Sequence, residues 1–232
     1  MSEWVEGSLE SDQVRRIVGS GYDAMGERFD RWADATVGSP RDEYVRRLFD
    51  AVPAGEPVLE IGCGSGRRAT GALAERYAVT GIDLSSGQIV RARERIPTAT
   101  FLVGDVTEIE FEPGSFGGIV AFYMMNHLPA EAHASVYRRV ADWLRPGGVF
   151  IANLPMSDAG DGVEKRWLGV PMFFSSVGGR VNLELLRAAG LDVVDVQVIS
   201  EVEVDPDDGS SEEHDWQWIV ARGKGTTRTA CW

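Results

Sequence analysis

Three glycines on alternate positions, Gly62, Gly64 and Gly66, follow a run of β-formers in "VLEIGCGSG", with Glu60 in the run and Cys63 between the first two. Glycine admits positive φ and lets a ligand approach the backbone without meeting a Cβ. A helix beginning just after such a loop adds unpaired N–H groups that suit an anionic part of a ligand. Two acids stand at comparable points: Asp83 closes "GID" and Asp105 closes "VGD". An ionised carboxylate offers several acceptor sites, so Asp83 can take both hydroxyls of a ribose. Asp105 can then accept from the exocyclic amine of the attached base. Spacing excludes two other uses of a glycine loop. Counted from Gly62, G-x-G-x-x-G requires glycine where Arg67 stands, and no lysine is placed for a P-loop.

Other side chains could act on a bound molecule. His127, in "MNHL", is either a general base or a residue that caps or packs at the start of the next helix; the sequence favours the second. Tyr22 orients an acceptor or covers the ligand. Tyr123 is a strand-end aromatic, either core or substrate wall. "WLGVPMFFSS", with Trp167, Phe173 and Phe174, reads as a pocket wall for a flat or greasy molecule or as a secondary core. Trp32, from the N-terminal region, is expected to join that wall. Trp216 and Trp218 alternate on one strand and are expected in the core. His133 is expected at the surface and His214 in a solvated loop. Cys63 needs no role beyond its small size, and no spacing of Cys, His and Asp suggests a metal.

The elements that position these residues are legible from hydrophobic period. Residues 1–56 read as helical, with Tyr22, Met25, Phe29 and Trp32 on one face, then Val45, Leu48, Phe49 and Val52 on another. From Val58 onward, strands ("VLEI", "AVTGID", "TFLVGD", "GGIVAFYM", "VFIANL") alternate with helices, the first of these over 65–76. That alternation implies an α/β fold, a parallel sheet with helices on both faces. "RPGG" at 145–148 stops the fourth-strand helix. Residues 155–180 read as a loop-like insertion contacting substrate, followed by a helix over 182–189 that ends at Gly190. "LDVVDVQVIS" and "DWQWIVA" then form an antiparallel pair around an acidic loop, Glu201 to Asp215.

With these pieces in order, the chain resembles the class I S-adenosylmethionine-dependent methyltransferases over residues 20–155. "VLEIGCGSG", "GIDLS", "FLVGD" and "LRPGGVFI" all stand where that family has them. The resemblance implies a Rossmann-like, mostly parallel seven-stranded sheet. It also implies S-adenosylmethionine (SAM) as cofactor, with S-adenosylhomocysteine as product and a small-molecule acceptor. Gly62 to Gly66 would pass under the methionine part, with Glu60 orienting its amino group. Asp83 would hold the ribose, Leu84 would pack on the adenine, and Asp105 with Val106 would face its edge. Gln88, Cys63 and Tyr22 complete the implied cofactor set, and residues 1–56 would form a helical lid on a core of 57–232. One departure stands out: the acid expected after Phe116 is replaced by Gly117 and Gly118.

Composition limits the partners. Of 232 residues, 44% are hydrophobic and 25% charged, as in an ordinary soluble domain. A net charge of −13 repels a phosphate backbone, which argues against nucleic acid. Arg91, Arg93 and Arg95 read as an exposed helix face rather than a basic patch. No apolar run reaches the ~18 residues of a membrane span, and two cysteines, Cys63 and Cys231, fit a reducing cytoplasm without disulfides. Oligomeric state and the identity of the acceptor are not legible.

Overall fold

The computed structural model describes residues 4–205 and 209–224; Cys231 lies outside them. The chain opens with a short strand, β1 (Trp4–Glu6), and three helices, α1 (Ser11–Met25), α2 (Glu27–Ala35) and α3 (Arg41–Ala51). An alternating section follows: β2 (Pro57–Ile61), α4 (Thr70–Ala74), β3 (Ala78–Asp83), α5 (Ser86–Arg95), β4 (Thr100–Val103) and β5 (Phe116–Ala121). Next come α6 (His133–Trp143), β6 (Leu144–Pro155) and a hairpin of β7 (Gly160–Trp167) and β8 (Val170–Ser176). The described chain ends with α7 (Gly179–Ala188), β9 (Leu191–Val204) and β10 (Ser211–Gly223).

Seven strands form one sheet in the order β4-β3-β2-β5-β6-β10-β9. The first five are mutually parallel, and β10 runs antiparallel to both neighbours. This is the predicted α/β sheet with its antiparallel closing pair. From β2 the chain builds outward to β4, then returns to build the other way from β5. Beyond the carboxyl ends of β2 and β5 that reversal leaves a crevice, the usual ligand position in open α/β sheets.

Burial on both faces explains why the central strands read as continuous apolar runs: every residue of β5 is buried. On one face α6 lays Val136, Tyr137, Val140 and Trp143 against Leu59, Ile119 and Phe150. On the other, α3 sets Tyr44, Val45 and Leu48 against Val58, Val120 and Trp218. α3 packs so closely that a Cβ on Gly118 would lie 3.0 Å from Leu48 Cδ1. Where the acid expected after Phe116 is absent, the Glu56 carboxylate lies 3.2 Å from where a Gly117 Cβ would stand and pairs with Arg145.

Several expectations are corrected. The N-terminal helical face is two helices, broken at Gly26 with φ 52°, and Trp4–Glu6 is a strand. The helix expected over 65–76 is confined to Thr70–Ala74, because the glycine loop occupies the preceding turns. α6 ends at Trp143, just ahead of residues 145–148 as expected, and those residues already belong to β6. The insertion at 155–180 is a hairpin, extended by β1 pairing with β7. The acidic stretch is mostly strand, with Glu201 to Val204 pairing with Ser211 to His214 across the tip. Glu201 is fully buried, accepting from Trp218 Nε1 at 3.0 Å and from the Tyr123 hydroxyl. His133 is buried, its Nε2 3.3 Å from the Leu128 carbonyl. Arg93 and Arg95 are exposed, as expected, and Arg95 also donates to the Ser65 carbonyl at 2.6 Å.

Candidate active site

The glycine loop turns the end of β2 back over β3. Gly62 N and Cys63 N both donate to the Ile82 carbonyl, at 2.8 and 3.1 Å. Gly62 and Gly64 hold φ of 72° and 54°, the left-handed region that glycine enters without strain. A Cβ on Gly62 would also stand 2.8 Å from Met124 Cβ. The loop is pinned from three sides. Gly64 N donates to Asp83 Oδ2 at 2.8 Å, and Ser65 Oγ to Asp30 Oδ1 at 2.8 Å. Arg95 adds its bond to the Ser65 carbonyl.

Above the loop is a cleft lined by Glu60, Gly62, Cys63, Gly64, Asp83, Leu84, Asp105 and Val106 from the sheet side. Helices α1 and α2 cover it with Val18, Tyr22, Phe29 and Asp30. Gly19 of α1 lies against Leu84, where a Cβ would meet Leu84 Cγ at 3.6 Å. Asp83 accepts from Ser85 N at 2.9 Å as well as from Gly64 N. Burial pushes it up to about 6, partly opposed by those two amides. Glu60 accepts from Thr70 Oγ1 at 2.6 Å, and burial pushes it up to about 7. Asp105 accepts from Thr107 N and Oγ1, each at 2.7 Å, and pairs with Arg15 of α1 at 3.1 Å. Burial raises the Cys63 thiol far above its ordinary value, so it stays protonated and is no nucleophile.

A second, roomier chamber adjoins this cleft. Tyr22, Phe29, Arg41, Arg68, Tyr123 and His127 line both. Tyr22 Oη lies 2.7 Å from His127 Nε2, and His127 Nδ1 lies 2.9 Å from the Phe173 carbonyl. A carbonyl only accepts, so Nδ1 carries the hydrogen. Nε2 of the neutral ring is then the acceptor, and the Tyr22 hydroxyl donates to it. Burial lowers His127 to about 4, so the ring is neutral at neutral pH. Burial, and next the charges of Asp83 and Glu203, hold Tyr22 well above the ordinary phenol range.

The chamber wall is a chain of ring contacts: Phe29 stacks on Trp32 at 5.7 Å, Trp32 meets Trp167 at 5.1 Å, and Trp167 meets Phe174 at 5.2 Å. Tyr123 sits at φ 54°, an uncommon conformation for a non-glycine residue. Its N–H donates to Asn153 Oδ1 at 2.7 Å, and Arg41 stacks 4.5 Å over its ring.

Of the residues singled out in the sequence, Tyr22, Glu60, Gly62, Cys63, Gly64, Asp83, Leu84, Asp105, Val106 and His127 line the first cleft. Trp32, Tyr123, Trp167 and Phe174 line the second. Three do not face either space. A Cβ on Gly66 would stand 3.1 Å from Ile96 Cδ1, so that glycine serves helix packing. Phe173 is fully buried in the core, and its carbonyl rather than its ring reaches His127. Gln88 lies beneath the loop, fully buried, with both amide atoms unpartnered. Trp216 lines the second chamber although buried, as does exposed His214. Sequence reasoning missed Arg41, Arg68, Asn126 and Glu203, although Arg68 follows the glycine loop and Asn126 precedes His127. Glu203 carried a signal in the alternation "EVEV" at 201–204.

These features fit SAM: a left-handed loop a ligand can approach, carboxylates at the ends of β2, β3 and β4, and two guanidinium groups at the far end. Among the described residues no group of three His, Cys, Asp or Glu could hold a metal, and no helix is long and apolar enough to cross a membrane.

Comparison with known proteins agrees. Residues 58–148 match the family described as "Methyltransferase domain". The 27-O-demethylrifamycin SV methyltransferase of Amycolatopsis mediterranei is 32% identical over 205 residues, covering 79% of this chain and 69% of that enzyme. The Burkholderia thailandensis 1,6-didemethyltoxoflavin-N1-methyltransferase, solved with that substrate and S-adenosylhomocysteine, superposes with a TM-score of 0.69 at 21% identity. That match covers 96% of this chain and 95% of that one. The cyclase SpnF superposes almost as well, TM-score 0.68 at 17% identity over 94% and 98% of the two chains. Fold alone therefore does not separate methyl transfer from other chemistry; the motifs together with the closer sequence relative do. The chain belongs to the S-adenosylmethionine-dependent methyltransferases.

Proposed function

We propose that this enzyme methylates a small molecule that enters the second chamber, and that the Tyr22–His127 pair takes the acceptor's O–H or N–H proton. The hydrogen bond between that pair, at the boundary of the two chambers, carries the reading. In the first cleft, Gly62 and Gly64 run beneath the methionine part and Glu60 takes its amino group. Arg41 and Arg68 face its carboxylate. Asp83 holds the ribose, Leu84 covers the adenine, and Asp105 with Val106 meets its edge. Bound SAM supplies an activated sulfonium methyl, whose bonding pair stays on sulfur as the acceptor's lone pair bonds to carbon.

The residues then have two tasks. The first is alignment of the acceptor with the methyl, which supplies most of the rate in a direct displacement. The second is removal of a proton: it moves onto the Tyr22 oxygen as the Tyr22 proton moves onto His127 Nε2. His127 gains one positive charge as the donor end loses one, so the buried site keeps its net charge. Tyr22 remains a phenol before and after. α1 and α2 form the lid, and the 155–180 hairpin forms the acceptor wall. A cytoplasmic location is supported by the cysteine-poor composition.

The test is transfer from methyl-labelled SAM to a panel of phenols, hydroxylated heterocycles, amines and thiols. Transfer to an O–H or N–H acceptor, lost in His127→Gln with S-adenosylhomocysteine affinity retained, is the expected outcome. Transfer to thiols alone, indifferent to that substitution, overturns the proton role.

A further inference from the structure

We infer that the acceptor carries a protonated amino group, held by the Glu203 carboxylate against the aromatic wall of Trp32, Trp167 and Phe174. The inference rests on the methyl-transfer reading of the adjoining cleft and adds a substrate class to it. Five carboxylates line the second chamber: Glu164, Glu203, Glu212, Glu213 and Asp215. Its guanidinium groups, Arg41 and Arg68, also line the donor cleft, where a ligand carboxylate would absorb their charge. What remains for the acceptor is a negative field.

Glu203 is the carboxylate placed to use it. Among the described residues the one cationic or protonatable group paired with it is His214, whose Nε2 lies 3.8 Å away and is shared with Glu212. It lines the same chamber as Tyr22 and His127. Burial, then the neighbouring charges of Glu201 and Glu212, push Glu203 up to about 8. A carboxyl in that state gains from an added cation, which offsets both causes. Asp215, by contrast, already accepts from Ser200 Oγ.

A second, independent feature points to a ligand. Asn126 is 8% exposed and Trp216 7%; both line the chamber, and Asn126 Oδ1 and Trp216 Nε1 lack a hydrogen-bond partner. Buried polar atoms are ordinarily paired. Asn126 Oδ1 requires a donor, which an ammonium supplies, and Trp216 Nε1–H requires an acceptor on the same molecule. The ring wall adds π faces that attract a cation and cover a flat apolar body.

The probes are three indoles of one shape and different charge: tryptamine, tryptophol and indole-3-propionate, titrated calorimetrically into protein saturated with S-adenosylhomocysteine. Tryptamine is expected to bind about tenfold tighter than tryptophol, with indole-3-propionate weakest. In Glu203→Gln the tryptamine advantage should fall below about threefold while S-adenosylhomocysteine still binds. Equal affinities, no binding by any probe, a preference for the propionate, or a ranking unchanged by Glu203→Gln each overturn the inference. If Glu203→Gln does not fold, the wild-type ranking decides. Failure of S-adenosylhomocysteine to bind is a separate result, which removes the methyl-transfer reading and the inference with it.

Discussion

His127→Gln should change how stability responds to pH, and the size of the change follows from the structure. Burial holds His127 near 4 in the folded chain against about 6.5 when exposed. The depressed group binds fewer protons folded than unfolded between those values, so its contribution is complete above 6.5 and is lost as pH falls. Each tenfold change in proton affinity is worth about 1.4 kcal/mol. Integrated between pH 7 and pH 5, the loss is about 2 kcal/mol. Glutamine cannot be protonated there but keeps an acceptor for the Tyr22 hydroxyl. Urea denaturation of wild type and His127→Gln at pH 7, 6 and 5 isolates the effect, because other titrations cancel in the difference. The wild type should lose about 2 kcal/mol relative to the variant over that range. A difference that stays constant within ~0.5 kcal/mol would mean that His127 is not held neutral by burial. The proton-transfer role, which needs a free Nε2 at working pH, would fail with it.

Glu60→Gln should show the opposite slope. The Glu60 carboxyl is raised to about 7, so its contribution is complete at low pH and is lost as pH rises from about 4.5. Wild type should therefore lose about 2 kcal/mol relative to Glu60→Gln between pH 5 and 7 in the same urea series; a flat difference would show that burial does not keep this carboxyl protonated. Asp83→Ala should weaken S-adenosylhomocysteine binding about 100-fold, the worth of one strong charge-assisted bond at roughly 3 kcal/mol. It also frees the amides of Gly64 and Ser85, so melting must be followed alongside the calorimetric affinity; an unchanged affinity would place the ribose elsewhere. Gly62→Ala should destabilise by about 2–5 kcal/mol, from left-handed backbone strain together with overpacking against Met124. A cost below ~1 kcal/mol in urea denaturation would show that the loop relaxes.

What the sequence reveals here divides along the distance over which a residue's role is decided. The glycine loop, Asp83 and Asp105 are legible because each sits at a strand end and its role depends on a few adjacent residues. The parallel strands are legible because burial on both faces makes them apolar throughout. His133 was readable too: it shares the face of Val136, Val140 and Trp143 at helical spacing, and its burial follows from that period. The acceptor chamber differs in kind. Its lining comes from β1, α1, α2, α3, the end of β6, the β7–β8 hairpin and the β9–β10 hairpin, elements spread over the whole chain. Charge misleads in the last of these, since a run of acids suggests a solvated loop. Yet β9 and β10 extend through it, turning Glu201 into the core and Glu203 into the chamber. The tautomer of His127 is set by a carbonyl 46 residues away, on an element that itself reads as loop. Donor recognition is therefore written locally and acceptor recognition is assembled from distant parts. On a shared fold, the donor can be common to many relatives while the acceptor varies with edge strands and insertions that leave the core untouched.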